Sequence, residues 1–548
     1  MVNPILTPKE AVRLTVSESA KKFFQVIYKE QNKVEVDDDE PKIKVSEIIS
    51  KVAFYYEKIR NTVDDKEEHL LYKNAINRII KRQLNIELTK DGKEISKHLL
   101  FELIRAGYLP NNKVPEVKID EIGLIIDKYL KLKKVSLEMV PDSQEGKNDL
   151  SSWIISLAAC EIEELLNRNA VTKLVINSMH EVLSRNIKFP EDSPHLRDKD
   201  IQIYIGIFRS YLKADDDMIS YILFKYFIAD WQEASDDTIS KTAKNIIKLV
   251  DAINFQINHP ASGRLNRIIN HYTVYYSIMI EVIAEDPVAT YEDFKKDPRA
   301  FQRNIKAACN KRYRSTKAKL WRAAVRSIIY LFVTKMILVL ILEIPVAHLL
   351  GETPANYALA INVSFPPLLL FLIVLFTQLP SDANTVKINE GIDELVFVEK
   401  ERKEPFKLRP PVKRSGARNV FFNIIYTITF FLTFGFVVWV LMQINFTIIS
   451  MIIFLFFLAL ISFFSIRIRK RVRELMVIEQ RENIFIFITD FFYVPIIAVG
   501  KWLSEKFSKL NVLVFILDFI FEAPFKVFVE IAEEWSRYVR ERKEDISQ

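Results

Sequence analysis

The chain has 548 residues, 49% hydrophobic and 27% charged, and its 77 basic and 70 acidic side chains leave a formal net charge of +7. A mean hydropathy of +0.07 beside so much charge means that the two classes are segregated along the sequence. No two of its 11 glycines come closer than Gly92 and Gly107, which excludes a P-loop, a dinucleotide-binding GxGxxG turn and a GxSxG nucleophile elbow.

The first 30 residues carry Lys9, Glu10, Arg13, Glu18, Lys21 and Lys22 without an apolar core of signal-peptide length, so the N-terminus is expected in the cytosol. From there to about residue 300 the sequence reads as helical throughout. DTISKTAKNIIKLVDAINFQI repeats its apolar residues at three- and four-residue steps, with Asp236 and Asp237 placed to cap it. EISKHLLFELIRAGYL is expected to stop at Gly107, and DDMISYILFKYFIADW reads as a packed core helix. Polar breaks at Val34–Lys42 and Pro141–Asn148 suggest joints within this domain. Two cysteines, Cys160 and Cys309, make neither a disulfide framework nor a cysteine-rich zinc site. The seven histidines are scattered and no HExxH occurs, so no metal and no cofactor is expected.

Arg299 to Arg326 holds ten basic residues and no acidic one. Four apolar segments follow, roughly Ser327–Leu350, Tyr357–Leu379, Phe421–Gln443 and Ile448–Ile466, each near the ~20 residues that cross a bilayer. The links Gly351–Asn356 and Ile444–Thr447 lack Lys and Arg, whereas the central loop and the stretch after the fourth segment are rich in both. The positive-inside rule then places both termini and the central loop in the cytosol of a multi-pass protein of the cytoplasmic membrane. The expected fold is all-α. A helical cytosolic domain (1–300) leads through a polybasic juxtamembrane helix (301–326) to two transmembrane hairpins (327–379 and 419–466), separated by a basic loop (380–418) and followed by an amphipathic tail (467–548). Within the loop, TVKINEGIDELVFVEKE reads as either a small hairpin or a partner-binding strand.

Each cationic side chain near an anionic leaflet is worth about 1 kcal/mol. Lys306, Lys311, Arg312, Arg314, Lys317, Lys319, Arg322 and Arg326, with Arg467, Arg469, Lys470 and Arg471, are therefore candidate contacts to anionic headgroups; a topology signal alone is the equal alternative. No nucleic acid is expected, because the charge is juxtamembrane and carries no recognisable binding fold.

Polar groups inside the spans mark functional candidates, since an ionisable residue at mid-bilayer costs about 2.5–3.5 kcal/mol. Lys335 and Glu343 lie on about the same face of the first span, roughly 12 Å apart along it, too far to pair directly. Asn362 and Ser364, ahead of the helix-breaking Pro366–Pro367, are plausible neighbours for Glu343, and His348 lies beyond it; Asn423, Thr427 and Thr433 could line the third span. The competing expectation is that Lys335 snorkels to the cytosolic headgroups while Glu343 and His348 sit at the outer interface.

In the tail FITDF recurs as FILDF 28 residues later, each followed by a proline and a tryptophan. Asp518, Glu522, Lys526 and Glu530 step by four, a polar stripe on an apolar helix, and Asp490 holds the matching place in the first copy. In-plane or re-entrant helices are expected here rather than further spans, because the link Lys501–Lys509 is basic.

RSIIYLFVTKMILVLILEIP, the cluster IRIRKRVREL and the repeated FIxDF tail resemble an uncharacterised multi-pass membrane-protein family of candidate-phyla bacteria, over about residue 200 to the C-terminus. The resemblance implies a helical cytosolic module on four spans with an amphipathic tail, and no activity. Three functions compete. The first is an interaction, scaffold or envelope-assembly factor whose cytosolic domain binds a protein partner. The second is an oligomeric channel or transporter, possible as a homo-oligomer, using the polar groups of the first two spans. The third is a membrane-interface enzyme built on Asp490, Asp518, Glu522 and His348.

Overall fold

The structure is a computed structural model that describes residues 15–32, 40–64, 67–85, 91–139, 144–167, 169–191, 193, 195–296, 298–352, 354–408, 416–478, 484–509, 531, 535, 538–539 and 542. It is all-α. In chain order the helices are α1 (Glu18–Gln31), α2 (Glu47–Asp64), α3 (Glu68–Asn85), α4 (Gly92–Arg105), α5 (Val117–Met139), α6 (Gln144–Leu166), α7 (Ala170–Asn186), α8 (Lys199–Ser210), α9 (Asp216–Phe227), α10 (Asp236–Lys244), α11 (Ile246–Ile257), α12 (Ser262–Glu285), α13 (Pro287–Lys296), α14 (Pro298–Leu338), α15 (Ile344–Leu349), α16 (Asn356–Leu375), α17 (Asp382–Val396), α18 (Gly416–Gln443), α19 (Ile448–Arg473) and α20 (Ile484–Lys509). Two-residue strands β1 (Ile187–Lys188) and β2 (Phe406–Lys407) pair in parallel. The described residues form two compact units, one within Lys29–Ile269 and Glu404–Pro410, the other within Asn270–Lys403 and Pro411–Asn511 together with residues 15–28.

The first unit is a helical domain with two apolar clusters. In one, Ile76, Leu99, Leu103, Ile122 and Ile162 are buried between α3, α4, α5 and α6; in the other, Tyr129, Leu157, Phe224 and Trp231 lock α5 and α6 to α9. Each fully buried Leu or Ile contributes roughly 1.5–3 kcal/mol. α5 and α6, the latter beginning within the polar stretch 141–148, therefore share one core. Asp91 caps α4 by accepting from the Lys93 amide, and Gly107 closes that helix at φ 81°, a conformation that costs glycine little. Sequence periodicity predicts one helix over 236–257, but the chain breaks it at Asn245. The Asn245 side chain donates to the Lys241 carbonyl at 3.1 Å, competing with the helical backbone. The cap is Ser235 rather than Asp236 or Asp237, which instead fill the first turn, where the helix dipole favours acids.

The second unit contains four helical segments long and apolar enough to cross a membrane: Ala300–Leu349, Asn356–Leu375, Gly416–Gln443 and Ile448–Arg473. α14 alone runs 41 residues, about 60 Å, so one unbroken rod carries the polybasic stretch and the start of the first span. α19 is central: Ile453, Phe457 and Ile461 pack on Leu331 of α14 and Leu370 of α16, while Phe454 and Leu458 meet Leu441 of α18. α18 presents mostly exposed apolar side chains, among them Phe421, Ile428, Phe431 and Phe436.

Two expectations are corrected in this unit. Pro366 and Pro367 lie inside a continuous α16 and do not break it; both are buried in the bundle, where neighbouring helices hold the helix together. The loop segment 385–401 begins as helix α17, not a hairpin or strand, because Ile388, Ile392 and Val396 fall on one buried face at helical spacing. Asn384 anchors α17: its Nδ2 donates to the Tyr313 hydroxyl and the Leu475 carbonyl, each at 2.9 Å, and its Oδ1 accepts from the Val477 amide at 2.8 Å. α20 packs lengthwise on α19 and α18. Tyr493 meets Ser465 and the Ser462 carbonyl, and farther along α20 Gly500 meets Ala459, so α19 and α20 run antiparallel. The second tail copy, including Asp518, Glu522, Lys526 and Glu530, lies outside the described residues.

Candidate functional site

Pro345 sets the local geometry of the first span. It lacks an N–H, and its ring would clash with the carbonyl four residues back, so a continuous α-helix is unfavourable there. The chain widens into a π turn over Val339–Glu343, in which the Ile344 amide reaches back five residues to the Val339 carbonyl. Glu343, the last residue of this turn, points into the bundle and is fully buried.

Its carboxylate is held from two other helices. Asn362 of α16 donates from Nδ2 to both oxygens, at 2.7 and 2.9 Å. The Ser450 hydroxyl of α19 donates to Oε1. Thr447, the N-cap of α19, accepts from the Ser450 amide at 3.2 Å, and its hydroxyl lies 2.7 Å from the Ser450 hydroxyl. The carboxylate thus faces the first turn of α19, the end of a helix whose dipole favours negative charge. Asn362 and Ser450 are themselves almost wholly inaccessible.

Lys335 lies two turns earlier and is also fully buried, so it does not snorkel. The reason is packing: α14 turns this position toward α19, and Nζ rests 4.3 Å from the centre of the Phe457 ring. A desolvated cation over an aromatic face gains about 2 kcal/mol. Among the described residues, Lys335 Nζ and Asn362 Oδ1 have no hydrogen-bond partner.

The remaining candidates are dispersed. Ser364 is exposed on the opposite side of α16 from Asn362. His348 is exposed and its Nδ1 lies 2.9 Å from the Ile344 carbonyl. Asp490 is exposed one turn before Tyr493, toward the basic end of the bundle, whereas His348 is at the Gly351 end; these two do not converge. In the third span, Thr427 donates to the Asn423 carbonyl at 2.8 Å and Thr433 to the Phe492 carbonyl at 3.4 Å.

The basic residues divide by partner. Lys311 pairs with Glu285 at 2.7 Å, Arg312 with Glu281 at 3.5 Å and Lys306 with Asp382 at 4.0 Å. Arg314, Lys317, Lys319, Arg322 and Arg326 are exposed along α14, as are Arg467 and Arg471 at the end of α19; Lys470 is exposed and pairs with Glu474 at 3.9 Å, while Arg469 is half-buried and reaches the Ser465 carbonyl.

Sequence reasoning missed Ser450, Thr447 and Phe457. Thr447 and Ser450 carried a signal, a hydroxyl residue just ahead of an apolar run; nothing marked Phe457 among the many phenylalanines of α19. It also missed a grouping in the helical domain, where His195, Asp198 and His259 bring one potential ligand atom each within 4.8 Å of one another. Comparison with protein-family models, curated proteins and solved structures finds no match.

Proposed function

We propose that this chain is a multi-pass protein of the cytoplasmic membrane that acts as an interaction or assembly factor, with its helical domain and both termini in the cytosol. The observation carrying this reading is the hydrogen bonding of the Glu343 carboxylate by Asn362 Nδ2 and the Ser450 hydroxyl, which links three helices the way polar residues hold a membrane bundle together. Most of the remaining chain is helical domain available to a protein partner. The exposed basic face of α14 and the end of α19 suit anionic headgroups, with Lys306, Lys311, Arg312 and Lys470 engaged by carboxylates of the chain instead.

One observation favours a second reading, an oligomeric channel or transporter: a buried ammonium without a hydrogen-bond partner stands two turns from a buried carboxylate, beside a π turn. Lys335→Met separates the two. In an assembly factor it leaves proximity-labelling partners and folding unchanged. In a transporter it abolishes ion or solute flux through protein in anionic-lipid vesicles, as does Glu343→Gln. Flux sensitive to both substitutions would overturn the first reading, as would the absence of any partner enriched over a control membrane protein.

A further inference from the structure

We propose that His195, Asp198 and His259 form a binding site for a divalent metal ion of the zinc class. The site lies wholly in the helical domain. Asp198 immediately precedes α8, and His195 opens the short turn before it. His259 follows α11 in the turn to α12.

Four features of the geometry carry this. The three side chains are two imidazoles and a carboxylate, the donor set of open three-ligand sites for zinc and neighbouring metals. His259 Nε2 lies 3.4 Å from Asp198 Oδ2, and the edge of a tetrahedron around a metal with ~2.0–2.1 Å bonds is about 3.4 Å. The His259 side chain is completely buried, yet among the described residues its Nε2 has no hydrogen-bond partner, an orphan that a metal would satisfy. Finally, the carboxylate is oriented from behind. Gln256 Nε2 donates to Asp198 Oδ1 at 2.9 Å, and Gln256 Oε1 in turn accepts from the buried Gln202 at 2.8 Å. Metal-ligating carboxylates are characteristically held by such an outer layer.

The competing account is a plain His–Asp contact, in which a neutral His259 keeps its proton on Nε2, 3.4 Å from Asp198 Oδ2, while Nδ1 accepts from the Ala261 amide; stoichiometric metal binding lost in the ligand variants separates the two. One contact has to change when metal binds. The Ala261 amide donates to His259 Nδ1 at 3.3 Å, and ligation through Nε2 places a proton on Nδ1, so this long bond opens. His195 and Asp198 are half-buried, which leaves water access to complete the coordination. A bound ion would tie the turn before α8 to the α11–α12 turn across 64 residues of sequence, closing a long loop.

The test uses full-length, untagged protein in detergent, stripped with chelator and titrated with Co²⁺ as the spectroscopic probe. One equivalent should produce visible d–d absorption of a low-coordinate site, bleached by Zn²⁺, and Zn²⁺ should raise the melting temperature. His195→Ala and Asp198→Asn should abolish the absorption while keeping the wild-type helical content and metal-free melting temperature, since both positions are only half-buried. Gln256→Ala should weaken affinity about 10–100-fold. Absence of stoichiometric Co²⁺ or Zn²⁺ binding, or absorption that survives both ligand substitutions, overturns the proposal.

Discussion

Glu343 owes its burial to donors from two other helices, and removing those donors tests the arrangement more sharply than removing the acid. Asn362→Leu strips both oxygens of their α16 donor while the carboxylate stays buried. Glu343→Leu removes the charge and its desolvation cost together. We therefore expect Asn362→Leu alone to be less stable than the double variant, because one partner of a buried polar pair is costlier to lose than both. The coupling energy from chemical unfolding in detergent should be about 1 kcal/mol, within the range for polar contacts between membrane helices. Additive effects would remove Asn362 as the partner of Glu343.

At the scale of the element, the π turn and the α19–α20 seam each depend on one residue. Proline inside a helix costs about 3 kcal/mol relative to alanine, so Pro345→Ala would ordinarily stabilise. Here it lets α14 continue as α-helix through Glu343 and rotates the carboxylate away from Asn362 and Ser450. The expected outcome is no gain in melting temperature in the wild-type background and a clear gain in the Glu343→Leu background; a gain in both would show that the π turn does not position the acid. Gly500 faces Ala459 so closely that an added Cβ would lie 2.0 Å from the Ala459 carbonyl oxygen, backbone that has no room to give. Gly500→Val should detach α20, seen as faster hydrogen exchange over 490–505 with α14 and α16 unchanged. Between Asp490 and Gly500 α20 carries no charge, and it then carries the exposed Lys501 and Glu505, so detachment beginning only after residue 500 would make those charges the hinge.

For the molecule as a whole, charge asymmetry is the testable quantity. Placing the basic end of the bundle in the cytosol predicts that single cysteines at Lys317 and Lys387 react with an impermeant thiol reagent only after cells are opened. A cysteine at Leu350 should react in intact cells, and the buried Cys160 and Cys309 in neither case. The reverse pattern would invert the topology. Within the second unit the basic-end helices are bound into the spans: Asn384 ties α17 to α14 and to the chain leaving α19, and Tyr272 of α12 donates to Glu394 at 2.6 Å.

The sequence by itself determined the all-α class, the four apolar segments and the ends at which basic residues collect, because helical period, span length and charge are local quantities. It also singled out Lys335, Glu343 and Asn362, since a polar residue in an apolar run is conspicuous without any partner. Only the tertiary structure decided what those residues do. Asn362 and Ser364 are two positions apart, and rotation about the α16 axis sends one to Glu343 and the other outward. Lys335 had a stem long enough to reach the headgroups, and the fit of α14 on α19 placed it under Phe457 instead. Ser450, 107 residues from Glu343, and His195, 64 from His259, join their sites through chain reversals whose geometry depends on how whole helices pack, which one-dimensional spacing does not encode.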